Sequence, residues 1–176
     1  MAFVLEDGTG LANSNAYIAV ATFDTYFADR GIVIDPSFTT TNKQNAIIAA
    51  TDYVDQVWGP QFMGRPLLTT QALLFPRACL YRKDFPCQLV TGIPIKLQYG
   101  VAEYALRDML SPGSLLPDPV VDETGLQTTA TFEKIGPIEE RKAFLGSAIR
   151  EIKPFPKADK WIQDFIFGNG GGSYRA

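Results

Sequence analysis

The sequence predicts a mainly α fold: a compact helical bundle with a long proline-containing connector, a small β element near 126–140 and an extended C-terminal arm. Three observations carry that prediction. Aromatic and aliphatic residues recur at helical spacing in separate stretches, each bounded by glycine or proline. Pro60, Pro66, Pro76 and Pro86 then break up the middle of the chain. Beyond it the composition turns to Thr128, Thr129, Thr131 and Phe132, residues that favour strands. Hydrophobic side chains are 46% and charged ones 20% of the 176 residues, enough to build one packed core.

The first helix is expected from about Val20 to Arg30, with Phe23, Tyr26 and Phe27 on one face and Gly31 as its stop. A second begins at Thr41, where Thr-Asn-Lys-Gln has capping-box spacing ahead of Ala46, Ile47, Ala50, Tyr53, Val54 and Val57. Trp58-Gly59-Pro60 ends it. From Gly59 to Pro94 the prolines forbid long regular elements, and Arg65, Arg77, Arg82 and Lys83 against Asp84 leave this connector locally basic. Pro94 fits the first position of a third helix, with Ile95, Tyr99, Ala102, Leu106 and Met109 on one face and Leu97, Val101, Tyr104 and Ala105 beside it, a width that belongs in the core. After Ser111-Pro112-Gly113 comes a loop, then two short strands joined or bent at Gly136-Pro137. Ala143 to Ile152 fits strand and helix alike, because Phe144, Ala148 and Ile152 keep a helical period that Gly146 weakens. A last short helix follows Pro154 and Pro156 and closes at Gly168. The expected domains are therefore a helical connector domain, 1–152, including the β element, and a docking arm, 153–176.

The 16 basic and 19 acidic residues leave a net charge of −3, the wrong sign for a protein whose main work is gripping phosphate backbones. There is no histidine, which removes the usual general base near neutral pH, the Ser-His and Cys-His nucleophile pairs and the commonest transition-metal ligand. Cys79 and Cys87 have no further ligand types near them and read as free thiols. No metal and no cofactor is expected. Met1-Ala2-Phe3-Val4-Leu5-Glu6-Asp7 has no basic stretch before its acids, so no signal peptide, anchor or membrane partner is expected, and synthesis in the cytoplasm is.

The acidic pairs Glu6-Asp7, Asp122-Glu123 and Glu139-Glu140 are adjacent in sequence, so their side chains diverge on a strand or a helix and make no natural dyad. The glycines from Gly168 onward lack the Lys-Ser/Thr of a phosphate loop and follow a helix instead of preceding one. Gln71-Ala-Leu-Leu-Phe-Pro-Arg77 differs in kind, since an apolar run closed by Pro-Arg sets Arg77, together with Arg65, on a stiff and partly buried connector. These two arginines are expected to clamp the connector to the helical core or to a neighbouring subunit. In the arm, Trp161, Ile162, Phe165 and Ile166 are expected to bury against a partner, with Tyr174 and Arg175 in the tail beyond. The bland reading is that those four complete the subunit's own core.

Ser14-Asn-Ala-Tyr-Ile18, Tyr26-Phe27, Ala46-Ile-Ile-Ala-Ala-Thr-Asp-Tyr-Val54, Gly64-Arg65, Gln71 to Arg77 and Ile93-Pro94 occur in an order that resembles a family of tailed-bacteriophage proteins. Its members are labelled DnaT-like single-stranded-DNA-binding proteins or head–tail connector (adaptor) proteins. The likeness covers about residues 14 to 110, is weaker over Thr131–Ile138 and Pro156–Phe167, and is most specific from Gln71 to Arg77. The chain departs from the family pattern at Ala19, where Ser or Thr caps the first helix, and at Phe75, where Trp is usual. The resemblance implies an adaptor in a dodecameric ring beneath the portal, with no catalytic residues.

Three function classes stand against one another. A connector of the virion neck has as partners copies of itself in a ring, the portal protein, a tail or neck protein, and genome DNA that slides past without specific recognition. A DnaT-like single-strand binder needs a basic groove with exposed aromatic residues. An enzyme needs a convergent site, and none assembles from these residues.

Overall fold

The computed structural model describes residues 2–81, 89–116, 130–135, 138–143 and 154–167. The chain divides into two units, Met1–Leu115 with Pro154–Ala176, and Leu116–Lys153. The expected boundary at 152/153 is therefore corrected. The C-terminal segment belongs to the helical unit, because its apolar side chains are buried there, and the β element stands as a unit by itself.

The helical unit contains α1 (Val20–Ala28), α2 (Thr40–Tyr53), α3 (Ile95–Leu110) and α4 (Pro156–Ile162), with the others packed on α3. Phe23 and Phe27 of α1 are wholly buried, and Gly31, at φ +66°, turns the chain so that the Ile32 N–H donates to the Phe27 carbonyl. Ala19 occupies the N-cap of α1 without a side-chain hydrogen bond. In α2 the cap is Thr39, whose side chain accepts from the Asn42 N–H; the expected cap at Thr41 lies inside the helix. Ala46, Ile47, Ala50, Tyr53 and Val54 are buried as their spacing predicts. Past Tyr53 the helix widens into a π turn over Val54–Trp58 and tightens to a 3-10 turn at Gly59–Gln61. A Cβ at Gly59 would run into the tip of the Leu74 side chain, which would have to move aside.

Pro94 is the cap of α3, not its first residue. Leu97, Val101, Tyr104 and Ala105 are fully buried and Ala102 and Met109 nearly so, the wide buried face that their spacing predicts. Ile95 is 61% exposed, against expectation, while Leu97 in the same turn is buried, so the start of α3 turns Ile95 toward a surface hollow. At Gly100 a Cβ would lie 2.7 Å from the Ile162 side chain, so the missing side chain is what lets α4 approach α3.

In the connector, β1 (Arg65–Pro66) pairs antiparallel with β2 (Arg77–Ala78), and the Phe75–Pro76 peptide is cis. The chain end adds to the same region: the Met63 N–H donates to the Phe165 carbonyl at 2.8 Å and the Phe167 N–H to the Gln61 carbonyl at 2.9 Å. In the second unit, β3 (Ala130–Ile135) and β4 (Ile138–Ala143) form an antiparallel pair, running from Ala130 opposite Ala143 to Ile135 opposite Ile138. These strands flank Gly136-Pro137 as expected. The undecided stretch from Ala143 starts in β4 and otherwise lies outside the described residues. Among the described residues no helix is long and apolar enough to cross a membrane.

The expected compact helical bundle thus describes only part of the molecule. Helices build the first unit, and among the described residues two small antiparallel sheets accompany them.

Candidate functional site

Arg77 is 8% exposed, and its guanidinium donates to the carbonyls of Met63 at 2.8 Å, Gly64 at 2.8 Å and Leu74 at 3.2 Å. Its plane thus ties the two sides of the connector together from within. Gln71 completes the closure, donating to the Leu73 carbonyl at 2.6 Å and the Pro76 carbonyl at 3.1 Å. The connector meets the core through Tyr17 and Asp55. The Tyr17 hydroxyl donates to Asp55 at 2.6 Å and accepts from the Phe75 N–H at 3.0 Å, while the other Asp55 oxygen accepts from the Leu74 N–H at 2.9 Å. Burial pushes the Asp55 carboxyl up to about 6, against the pull of those two hydrogen bonds. Arg65 is exposed and pairs through its backbone with Ala78. The two arginines expected to act together thus part company: Arg77 is an internal clamp and Arg65 faces water.

A second polar centre lies where α1, α3 and α4 meet. Glu103, 1% exposed, accepts from the Tyr26 hydroxyl at 2.8 Å, Arg107 at 2.9 Å and Lys157 at 2.6 Å. Burial raises its pKa, but the hydrogen bonds from Lys157, Tyr26 and Arg107 outweigh burial and hold the carboxyl below its usual value. Nearby, the Tyr104 hydroxyl donates to Asp159 at 2.5 Å and accepts from the Trp58 indole at 3.0 Å, and burial together with Asp159 keeps that phenol protonated far above its ordinary range.

Above Glu103 the surface opens into a groove. Tyr26, Arg30, Lys96, Lys157, Lys160 and Trp161 line a hollow of about 610 Å³, with Asp164 at its edge. A neighbouring hollow of about 310 Å³ shares Tyr26 and Arg30 and extends to Tyr99 and Ile95. The Arg30 guanidinium sits 3.6 Å from the Tyr26 ring centre and 5.0 Å from that of Tyr99, whose ring meets Trp161 edge-on at 5.4 Å. Lys96 is paired with Asp164. Such a face presents cations and ring surfaces side by side, which suits an anionic chain that also carries flat apolar groups.

Ile162 is fully buried, Phe165 is 6% exposed and 5.9 Å from the Phe75 ring, Ile166 bridges to Phe62, and Trp161 is half-buried. Ile162 and Phe165 thus belong to the chain's own core and Ile166 is tied to it by its bridge, whereas Trp161 keeps part of its ring at the surface. Tyr174 and Arg175 lie outside the described residues, as do Arg82, Lys83 and Cys87. The groove was missed because its cations come from positions 30, 96, 157 and 160, and only the fold brings them together. Glu103 did leave a signal, an acid in the middle of an apolar helical stripe.

No curated protein and no solved structure matches the chain. A family profile described as "Putative DnaT-like ssDNA binding protein" matches residues 1–176. With its whole length matched, the chain belongs to this DnaT-like family.

Proposed function

We propose that the chain is a structural subunit of the virion neck, a head–tail connector that closes into a ring between the portal and the tail or the next neck protein. The observation that carries this reading is the division of labour in the chain. A helical unit sealed by its own last helix is interrupted by a separate unit, Leu116–Lys153, with its paired strands, as suits a subunit that packs by one part and reaches by another. The likeness of Gln71 to Arg77 and Ser14 to Ile18 to phage adaptors points the same way. Leu67, Leu68, Leu110 and Phe167, 45–68% exposed, are apolar surface that neighbours in a ring would cover. Ring closure requires heterologous contacts, because a two-fold patch stops at a dimer. Native mass spectrometry of a virion extract is expected to find a closed multiple of the 19.4 kDa chain, a dodecamer by the resemblance. A dimer as the largest species would sink the reading.

A second reading, single-stranded-DNA binding, is favoured by one observation: the groove over Tyr26 and Trp161 joins cations to aromatic rings, as the family's description would require. Net charge −3 argues for weak binding of little sequence specificity. A titration with a single strand at physiological salt decides, and sub-micromolar affinity would put this reading ahead of the connector.

A further inference from the structure

We infer that the groove between α1, the start of α3 and α4 is a seat for single-stranded nucleic acid, with Trp161 as the stacking surface and Arg30 and Lys160 as the phosphate ligands; this deepens the second reading above and rests on it. The cations in the groove are not equivalent. Lys157 is committed to Glu103 and Lys96 to Asp164. Lys160 is exposed and pairs with no carboxylate among the described residues. Arg30 is exposed too, and donates one N–H to the Tyr26 carbonyl at 2.8 Å, which leaves further guanidinium donors for a phosphate.

The rings divide in the same way. Tyr26 is 3% exposed with its hydroxyl held by Glu103, so it serves as a floor and offers no stacking face. Trp161 and Tyr99 are half-buried, with surface left toward the hollow. The two hollows share Arg30, so a strand crossing from one to the other passes its guanidinium midway. An acidic polypeptide would be satisfied by the cations alone. The rings set between the cations are what a base-bearing strand uses and a carboxylate chain does not.

The test is fluorescence anisotropy of a labelled fifteen-residue oligothymidylate with the full chain, over a series of salt concentrations. Lys160→Glu is expected to weaken binding about ten-fold and to lower the salt slope by roughly 0.7 for each phosphate that is no longer neutralised. Trp161→Ala is expected to weaken it about five-fold or more, and Trp161→Phe to restore most of that, since any π-face stacks. Arg65→Glu, exposed in β1 and outside both hollows, is the charge control and should match the wild type. Lys160 is exposed, so its variant does not threaten the fold, and circular dichroism checks the Trp161 pair. Wild-type binding with no loss in Lys160→Glu or Trp161→Ala overturns the groove while sparing the single-strand reading. No binding by the wild type overturns both. Displacement of the oligonucleotide by poly-glutamate at equal charge concentration makes the groove a seat for acidic polypeptide and likewise overturns the inference.

Discussion

Asp55 and Glu103 are both carboxylates withdrawn from water inside the helical unit, yet their surroundings drive their ionisation in opposite directions. Asp55 receives neutral donors only, a phenol and a backbone N–H, and burial prevails, lifting it to about 6. Glu103 receives two cations and a phenol, and the cations prevail. Depth alone does not set a buried acid's charge; the charge of its donors does. The difference also sorts the two ends of the unit. The Asp55 end fixes a loop against the core, while the Glu103 end collects lysine and arginine beneath an open groove.

The largest effect expected from breaking this contrast is at Glu103. Glu103→Ala leaves the Tyr26 hydroxyl without its acceptor and opens a gap between three helices. Because Lys157 and Arg107 retain access to water, the cost is set below that of orphaning a buried charge, at about 2–3 kcal/mol in urea unfolding. A loss under ~1 kcal/mol would show that the cations hold the helices without it.

Arg77→Lys comes next, on the Asp55 side. Lysine reaches the same place but lacks the planar fork that serves carbonyls from Met63, Gly64 and Leu74, so about 2 kcal/mol is expected from the missing hydrogen bonds. Unfolding midpoints measured beside the wild type check this, and equal midpoints would show that the clamp adds nothing to stability.

The subtlest test is pH. Asp55 has a folded pKa raised above its ordinary 3.8, so its contribution is fully present below about 4 and is lost as pH rises through about 6. Glu103, with a lowered pKa, contributes above its ordinary 4.5 and loses that contribution as pH falls through its folded value. Asp55→Asn should therefore show a deficit against the wild type that is about 1–2 kcal/mol larger at pH 4 than at pH 7.5. Glu103→Gln should show the reverse trend, with a deficit that shrinks in acid. Parallel stability curves for either variant would erase the difference between the two acids.

Much of the fold was legible because it is local. Aromatic stripes at Phe23–Phe27 and Ala46–Val54 carry their own period, and Pro94 and Gly31 punctuate α3 and α1 as proline and glycine do anywhere. Gln71 to Arg77 read as a stiff connector whose arginine grips the core or a neighbour, but Arg77 spends its donors on the connector's own carbonyls. What escaped depends on distance in the chain. Ile95 has the period of a core residue but lines an open hollow at the surface. Ile162 and Phe165 read as free anchors because nothing local says that Gly100 and Phe75 wait to receive them. The candidate groove is the extreme case, four cations from three separate segments with no motif among them.

The hydrogen bonds that join Met63 and Gln61 to Phe165 and Phe167 have a consequence for biosynthesis. Residues about a hundred positions apart close the same patch, so the ribosome releases α1, α2 and α3 long before their last cover exists. Until α4 emerges, Gly100 presents an open notch and Glu103 lacks Lys157. The helical unit is thus completed only after Pro156–Phe167 has been made, with Leu116–Lys153 as an insertion whose closure entropy grows only slowly with its length. A nascent chain halted before Pro154 carries an uncovered apolar face, the form on which chaperones and premature self-association would act.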